Sequence, residues 1–285
     1  MEDRKFVIYY FLSMVMVIFP IINLLSFVPM VILYKKSNFR IYLLSVGMYS
    51  IFALMILGCF TAFIPVIISF IMIKGLDNGV DGYKIMIGSA VAMAMLLVSD
   101  FILLELNANS YEAFVKYLGE FLENFKSYKE VLSITSVESF VEAMKKIYPA
   151  ISFGMSYVFC ALGYSFLSKR IYKLNRDSDD YVIAYSSKYL SFITIISIVI
   201  FIASIFDFEG KYQVFLTIYN IMMMFVEIMV IQGFIKFNTF LKSRNSTFLS
   251  NLITFISIFF TFLYLLYFIY GIVCTIRRGV KWERK

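Results

Sequence analysis

The sequence predicts an all-α polytopic membrane protein, a transmembrane helical bundle of about eight or nine membrane helices, some of them short or broken. Three observations support this prediction. The chain is 61% hydrophobic and only 16% charged, whereas soluble domains are about half apolar and about a quarter charged. The apolar residues form long runs without a polar face, as expected for helices surrounded by lipid. Short clusters of Lys and Arg separate those runs, which is typical of membrane topology signals.

The first two apolar runs, residues 6–34 and 41–73, are each too long for a single span. A membrane helix needs about 20 apolar residues. Because proline removes a backbone donor and clashes with the preceding turn, we expect the first run to break near Pro20. Gly58 and Pro65 mark the expected break in the second run. Such broken helices either border a solute pathway, as in many transporters, or are simply short and tilted; we favour the second interpretation.

The later runs are closer to single spans. They cover residues 85–106, 149–167, 189–206, 212–235 and 248–276, and the last of these is long for one helix. We therefore divide the one membrane domain into three parts. These are N-terminal membrane helices (1–108), an amphipathic extracytoplasmic helical segment (109–147), and C-terminal membrane helices with a basic tail (148–285).

The segment 109–147 is the one substantial polar stretch between the runs. Its apolar residues recur at helical spacing, with Lys and Glu on the other faces; they are Phe114, Leu118, Phe121, Leu122, Phe125, Tyr128 and Leu132. Asn109 with Glu112, and Thr135 with Glu138, have capping-box spacing and predict two helix starts. We favour helices that lie along the membrane interface. The alternatives are a lid over a pathway and a docking face for a partner.

Four basic clusters indicate the orientation of the chain. They are Lys35, Lys36 and Arg40; Lys169, Arg170, Lys173 and Arg176; Lys236, Lys242 and Arg244; and Arg277, Arg278, Lys281, Arg284 and Lys285. Because Lys and Arg in short loops stay in the cytoplasm, we expect a cytoplasmic N-terminus and an extracytoplasmic 109–147 segment. If 248–276 is one helix, the basic tail lies outside. Either that run folds back on itself, or the helix count is wrong by one.

The best candidate for a polar site lies in the 212–235 span. Gln213, Asn220 and Glu227 are spaced by seven residues, which places them on one helix face, and Gln232 lies nearby. An ionisable group within a membrane helix costs at least about 2.5–3.5 kcal/mol, so it is a functional candidate. This face could line a solute or proton path. The alternative is that these side chains hydrogen-bond to neighbouring helices and contribute only to packing.

Asp100, late in the 85–106 span, is a secondary candidate. Glu105 follows it, but five residues along a helix the two carboxylates point to different sides. We therefore expect Asp100 to anchor the interface or to pair with a loop lysine.

Helix packing is predicted at small residues spaced by four, which let helix backbones approach closely. The pairs are Gly88 with Ala92, Ala90 with Ala94, and Ser152 with Ser156, continued by Cys160 and Gly163.

Several classes of function are disfavoured by the sequence. The chain has no histidine, the commonest general base and metal ligand, and its three cysteines are isolated. Residues 75–82 lack the ligands of a calcium-binding loop, and we predict that they form a tight turn between two helices. The net charge of +7 is spread between apolar runs and not gathered on one face, so nucleic-acid binding is not expected. We expect no metal, no cofactor and no enzymatic activity.

The layout of the chain resembles the YybS-like family of uncharacterised bacterial membrane proteins, a domain of unknown function. The resemblance spans nearly the whole chain and rests on short motifs. The first is the proline-broken run with Pro20 and Pro29, which ends in Lys35, Lys36 and Arg40. The second is Tyr148-Pro149-Ala150, which opens a helix that ends at Lys169-Arg170-Ile171-Tyr172-Lys173. The others are Ile231-Gln232-Gly233-Phe234, followed by Lys242 and Arg244, and Tyr270-Gly271 before the basic tail.

The resemblance implies a multi-pass protein of the bacterial cytoplasmic membrane, and it implies no established activity. The N-terminal half of that family is similar to the substrate-binding components of energy-coupling-factor vitamin transporters. Those proteins dock on their energising module through an alanine-rich face of an early helix, and residues 6–34 have no such face.

Two functions follow from these expectations. The first is a transporter-like protein embedded in the lipid bilayer that binds a small-molecule solute between helices, with Gln213, Asn220 and Glu227 lining the site. The alternative is a non-catalytic membrane scaffold or assembly partner, which would bind another membrane protein through its extracytoplasmic helices.

Overall fold

A computed structural model describes residues 3–57, 60–124, 136–174, 210–243, 247–259 and 262–283 of the chain. Every secondary-structure element in these ranges is helical, so the all-α fold class is confirmed for them. Five helices within these ranges are long and apolar enough to cross a membrane: Phe39–Leu57, Phe60–Asp77, Gly82–Leu106, Val137–Ile171 and Lys211–Ser243. Val7–Val17 and Leu263–Arg277 are shorter apolar helices. The total of eight or nine stays a prediction, because the predicted span 189–206 lies outside the described residues.

The N-terminal run breaks where proline was expected to break it. Two residues separate helix α1 (Asp3–Val17) from the short helix α2 (Pro20–Asn23), and α3 follows as Phe27–Lys36. Pro20 is the first residue of α2, where a missing N–H costs nothing because that donor has no partner within the helix. The prediction of a break near Pro20 is therefore confirmed.

The second run also divides near its predicted position. Helix α4 (Phe39–Leu57) ends just before the expected break, and a 3₁₀ turn (Phe60–Phe63) leads into α5 (Ile64–Asp77). Helix α6 (Gly82–Leu106) then forms the expected uninterrupted span. Between α5 and α6 the chain reverses at Gly79, whose φ of +66° suits glycine.

The amphipathic segment forms two helices, and the second continues without a break into the predicted membrane span 149–167. Helix α7 spans Ala108–Asn124, and α8 runs from Val137 to Phe166 with Pro149 inside it. The expectation that Tyr148-Pro149-Ala150 opens a separate helix is therefore wrong. Proline within a membrane helix is tolerated when neighbouring groups satisfy the freed backbone. Just before Pro149, Lys145 pairs with Glu105 and Tyr148 stacks on Phe101, and these contacts hold α8 against α6.

The caps of these two helices differ from the predicted residues by one or two positions. At α7 the cap is Asn107, whose side-chain oxygen accepts the backbone N–H of Ser110 at 3.2 Å. At α8 the backbone N–H of Ser139 donates to the Ser136 hydroxyl at 3.1 Å, and the N–H of Ser136 donates back to the Ser139 hydroxyl at 3.3 Å. This is a reciprocal capping box, with Ser in the place where Glu138 was expected to act.

The C-terminal part contains three described helices: α9 (Lys211–Ser243), α10 (Thr247–Phe259) and α11 (Phe262–Glu283). The long run 248–276 is thus divided between two helices and is not one continuous span.

The chain separates into two compact units, one formed by Met1–Ile73 with Ser89–Phe159 and the other by Lys74–Gly88 with Cys160–Lys285. Each unit has its own core.

Within the first unit, α1, α3 and α4 pack on one another around buried polar side chains. The Tyr49 hydroxyl donates to the Asn23 side-chain oxygen at 2.5 Å, and Ser26 donates to the same oxygen at 3.1 Å. A second buried pair joins Tyr42 to Ser69 at 2.9 Å between their hydroxyl oxygens. These bonds satisfy polar groups that would be costly to leave unpaired away from water.

Within the second unit, α9 and α11 form the most extensive described helix pairing. They run antiparallel, with Gly233 beside Tyr267 and Gly271 beside Met229. A methyl group at Gly233 would overlap the Tyr267 carbonyl oxygen, and one at Gly271 would overlap the Met229 carbonyl oxygen. Only glycine allows the two backbones to approach this closely.

Candidate functional site

The first unit contains a cavity of about 620 Å³ at the C-terminal end of α6. Helices α6, α7 and the first half of α8 form its walls, and the last residue of α4 closes one side. Its lining consists of Leu57, Asp100, Phe101, Leu103, Leu104, Asn107, Ser110, Phe114, Leu118, Phe140, Val141, Met144 and Tyr148. Nine of these thirteen are apolar. The cavity is therefore mainly apolar with a few polar groups, which is the usual composition of a small-molecule binding site.

An aromatic cluster forms one wall of the cavity. The rings of Phe101 and Tyr148 stack with their centroids 4.4 Å apart, and Phe114 meets Phe101 edge-on at 6.5 Å. These contacts join α6 to both α7 and α8. Aromatic pairs in such geometries contribute about 0.5–1.5 kcal/mol beyond the area they bury. The cluster therefore helps to hold the two amphipathic helices against the membrane helix.

Asp100 caps the chain that follows α4. One of its carboxylate oxygens accepts the backbone N–H of Phe60 at 2.7 Å, and the other accepts the N–H of Thr61 at 2.6 Å and its hydroxyl hydrogen. The first N–H groups of a helix have no partner within that helix, and a carboxylate satisfies them well. Asp100 thus fixes the start of the 3₁₀ turn and α5. The sequence predicted an interfacial anchor or a partner for a loop lysine; here Asp100 binds backbone groups, and Lys145 of helix α8 pairs with Glu105.

A charged cluster ties the same three helices together beside the cavity. The Lys145 ammonium lies 2.8 Å from a Glu105 carboxylate oxygen on α6 and 3.1 Å from one of Glu142 on α8. It also lies 4.6 Å from the centre of the Tyr111 ring on α7, within the range of a cation–π contact. One lysine therefore bridges α6, α7 and α8.

The polar face predicted on α9 is only partly buried. Gln213 is exposed, whereas Asn220 is buried and its side-chain N–H donates to the Leu216 carbonyl of its own helix at 2.9 Å. Gln232 is fully buried. Glu227 is half-buried, and among the described residues its Oε2 atom has no hydrogen-bond partner.

The predicted packing residues lie in different surroundings. Ser152 and Ser156 are buried on one face of α8, where a packing role would place them, and the Ser156 hydroxyl bonds to the Ser152 carbonyl. On α6, Gly88 is exposed and Ala92 is half-buried. Ala90, in the neighbouring pair, is buried.

In the part of the chain that the structure describes, no three Asp, Glu or Cys side chains come close enough to hold a metal ion. The cavity itself was not found from the sequence. One signal pointed towards it: the apolar stripe of α7, with Phe114 and Leu118, needs a partner surface. The sequence did not show that the end of α6 supplies that surface.

These features define a multi-pass helical membrane protein with a partly enclosed apolar cavity at one end of a span. The chain belongs to the family described as predicted membrane protein (DUF2232), whose model matches residues 7–274. No curated protein and no solved structure gives a significant match to the chain.

Proposed function

We propose that this protein is transporter-like and binds a small solute in the cavity between α6, α7 and α8. The cavity itself carries the proposal. Its volume of about 620 Å³ lies within the range of about 300–1,000 Å³ typical of ligand sites. Its lining combines an apolar body with Asn107, Ser110 and Tyr148, which could orient a ligand. In this proposal α7 and the start of α8 act as a lid.

The proposal includes the setting of the protein. We place it in the cytoplasmic membrane of a bacterium with its N-terminus in the cytoplasm, which puts α7 on the outer face. The YybS-like resemblance is consistent with this placement. We propose no catalytic role, no cofactor and no nucleic-acid partner, in keeping with the absence of histidine from the chain.

The test uses ligand-induced thermal stabilisation of the purified protein with a panel of small solutes. A ligand at about 100 times its Kd stabilises the folded state by about 2.7 kcal/mol. Leu104→Trp fills the cavity and should abolish the shift in melting temperature. Ile102→Trp is the matched control, because Ile102 lies on the same helix but is exposed and outside the lining. If every shift survives Leu104→Trp, the cavity is not the site.

Glu227 supports a second proposal, that the face with Gln213 and Asn220 lines a solute or proton path. The observation in its favour is the buried Oε2 atom, which no hydrogen bond satisfies within the described residues. Such a group is costly in a membrane helix and persists more readily when it has a function. Glu227→Gln removes the charge and keeps the shape. Loss of solute-dependent stabilisation would support the proposal, and an unchanged shift would remove Glu227 from the site.

The scaffold function is favoured by one observation, the exposed aromatic side chain of Tyr117 on α7 (71% exposed). Aromatic residues are enriched in protein interfaces. Cross-linking in intact membranes should then capture a defined partner that Tyr117→Ser loses and Lys116→Ser retains. A cross-linking pattern that does not change in either variant would argue against this role.

A further inference from the structure

The cavity lies at the C-terminal end of a helix that is longer than the hydrocarbon core of a bilayer. Helix α6 has 25 residues, so it is about 37 Å long at 1.5 Å per residue, longer than the hydrocarbon core of about 30 Å. The α6 residues that line the cavity, from Asp100 to Leu104, lie in its last two turns. Helix α7 follows at once and carries exposed charged residues, including Glu112 and Lys116. When a helix of this length crosses a bilayer, its end reaches the head-group region, so the cavity is expected between the hydrocarbon core and the charged surface of α7.

The apolar outer surface of α6 continues into the cavity. Ile102, Leu103 and Leu106 are 48%, 47% and 77% exposed, as expected for side chains that face lipid. Leu103 also lines the cavity. A shallower depression, lined by Leu103, Leu106, Asn107, Ala108 and Asn109, shares Leu103 and Asn107 with the cavity. Leu103 therefore joins the exposed surface of α6 to the cavity wall, and a molecule dissolved in the bilayer reaches the cavity past this side chain.

The charges around the cavity limit what it can hold. Its described lining contains no Lys or Arg, and its one carboxylate, Asp100, is already occupied by two backbone N–H groups and the Thr61 hydroxyl. No group deep in the cavity therefore offers a free countercharge. The uncharged polar side chains of Asn107 and Ser110 lie where α6 ends and α7 begins. A ligand with an apolar chain inside and a polar head at this edge matches this distribution.

We propose that the solute is a single-chain amphiphile that enters the cavity sideways from the bilayer past Leu103. This inference rests on the proposed function and adds the class of solute and its route. The volume of about 620 Å³ suits one drug-sized molecule, which corresponds to one chain with a small head and not to a whole two-chain phospholipid. The Phe101–Tyr148 stack forms part of the wall that retains the chain, and the Lys145 bridge beside the cavity holds α6, α7 and α8 together.

The test uses a photoreactive lysophosphatidylcholine with a diazirine in its single chain, added to vesicles that contain the full-length protein. After illumination, mass spectrometry locates the labelled residues. A photoreactive two-chain phosphatidylcholine is the reference for ordinary lipid contact. We expect the single-chain probe to label Leu104 and Met144 inside the cavity. The two-chain probe should label exposed positions such as Leu44 and Met55 on α4, which are 69% and 81% exposed.

Two variants sharpen the result. Leu104→Trp should lower labelling of Met144 by at least about tenfold, whereas Ile102→Trp should leave it unchanged. If the two probes label the same residues in the wild-type protein, the inference is overturned, and this comparison does not depend on the folding of any variant. A water-soluble solute whose stabilisation is lost in Leu104→Trp would then preserve the proposed function. If that stabilisation is also absent, both proposals fail.

Discussion

The helices α9 and α11 pack closely against each other, whereas α6, α7 and α8 leave a cavity between them. At Gly233 and Gly271 the two backbones lie so close that a methyl group would overlap a carbonyl oxygen. At the end of α6, three helices carrying Phe101, Phe114 and Tyr148 stay far enough apart to leave about 620 Å³. Apolar side chains gain little by leaving lipid for another apolar surface, so close packing and polar bonds hold membrane helices together. The first region has the close packing, and the second is held by a few specific polar and aromatic contacts.

The polar bonds between helices also differ between the two regions. Around α9 and α11 they make short-range bonds between neighbouring helices. The Asn238 side-chain oxygen accepts a hydrogen bond from Ser250 at 3.0 Å, and the Ser257 and Tyr267 hydroxyls lie 2.5 Å apart. Beside the cavity, Asp100 and Lys145 connect elements that are distant in sequence. Removing one such residue should therefore weaken the contact between elements that are far apart in the sequence.

The largest expected effect is at the glycine contact. Gly233→Ala would place a methyl group in overlap with the Tyr267 carbonyl oxygen, so the helices must separate, and we expect a loss of about 3 kcal/mol, the upper end of the usual cost of overpacking. Thermal unfolding of the detergent-solubilised protein measures this loss. Gly88→Ala is the matched control, because no described atom lies within 4 Å of the new methyl group. It should be neutral or stabilising by up to about 1 kcal/mol. Equal effects of the two changes would contradict the close approach.

An intermediate effect is expected at Asp100. Asp100→Ala leaves the backbone N–H groups of Phe60 and Thr61 without their acceptor, and we expect a loss of about 2 kcal/mol. Hydrogen exchange at these two amides should become faster, which distinguishes a lost cap from general destabilisation. Asp100→Asn keeps one acceptor oxygen and should fall between wild type and Asp100→Ala. Unchanged exchange at both amides would show that Asp100 does not cap this turn.

The smallest effect is expected at Lys145. Its ammonium group is partly exposed to water, with 26% of the side chain accessible, so removing its ion pairs in Lys145→Met should cost about 0.5–1 kcal/mol. The difference in melting temperature from wild type should shrink at high salt, because salt screens exposed charges. Lys116→Met, on the exposed surface of α7, should change stability little at any salt concentration. A salt-independent difference at Lys145 would indicate lost packing of its methylene stem instead of lost charge.

The sequence determined those features that depend on neighbouring residues. The length and apolar character of α4, α6 and α9 predicted membrane helices, because a helix satisfies its own backbone in lipid. Pro20 predicted the break between α1 and α2 from the geometry of its ring. The apolar stripe of α7 predicted an amphipathic helix. These rules operate within a few residues, so they could be applied without any knowledge of the fold.

The tertiary structure decided which distant residues meet. Asp100 caps an N-terminus about 40 positions earlier in the chain, Lys145 pairs with Glu105, and Gly233 meets the backbone of α11. Pro149 could not be placed correctly from local rules, because a helix continues through proline only when its neighbours stabilise it. The cavity has the same origin: its volume depends on how closely three helices approach, and that distance is set by side chains from all of them.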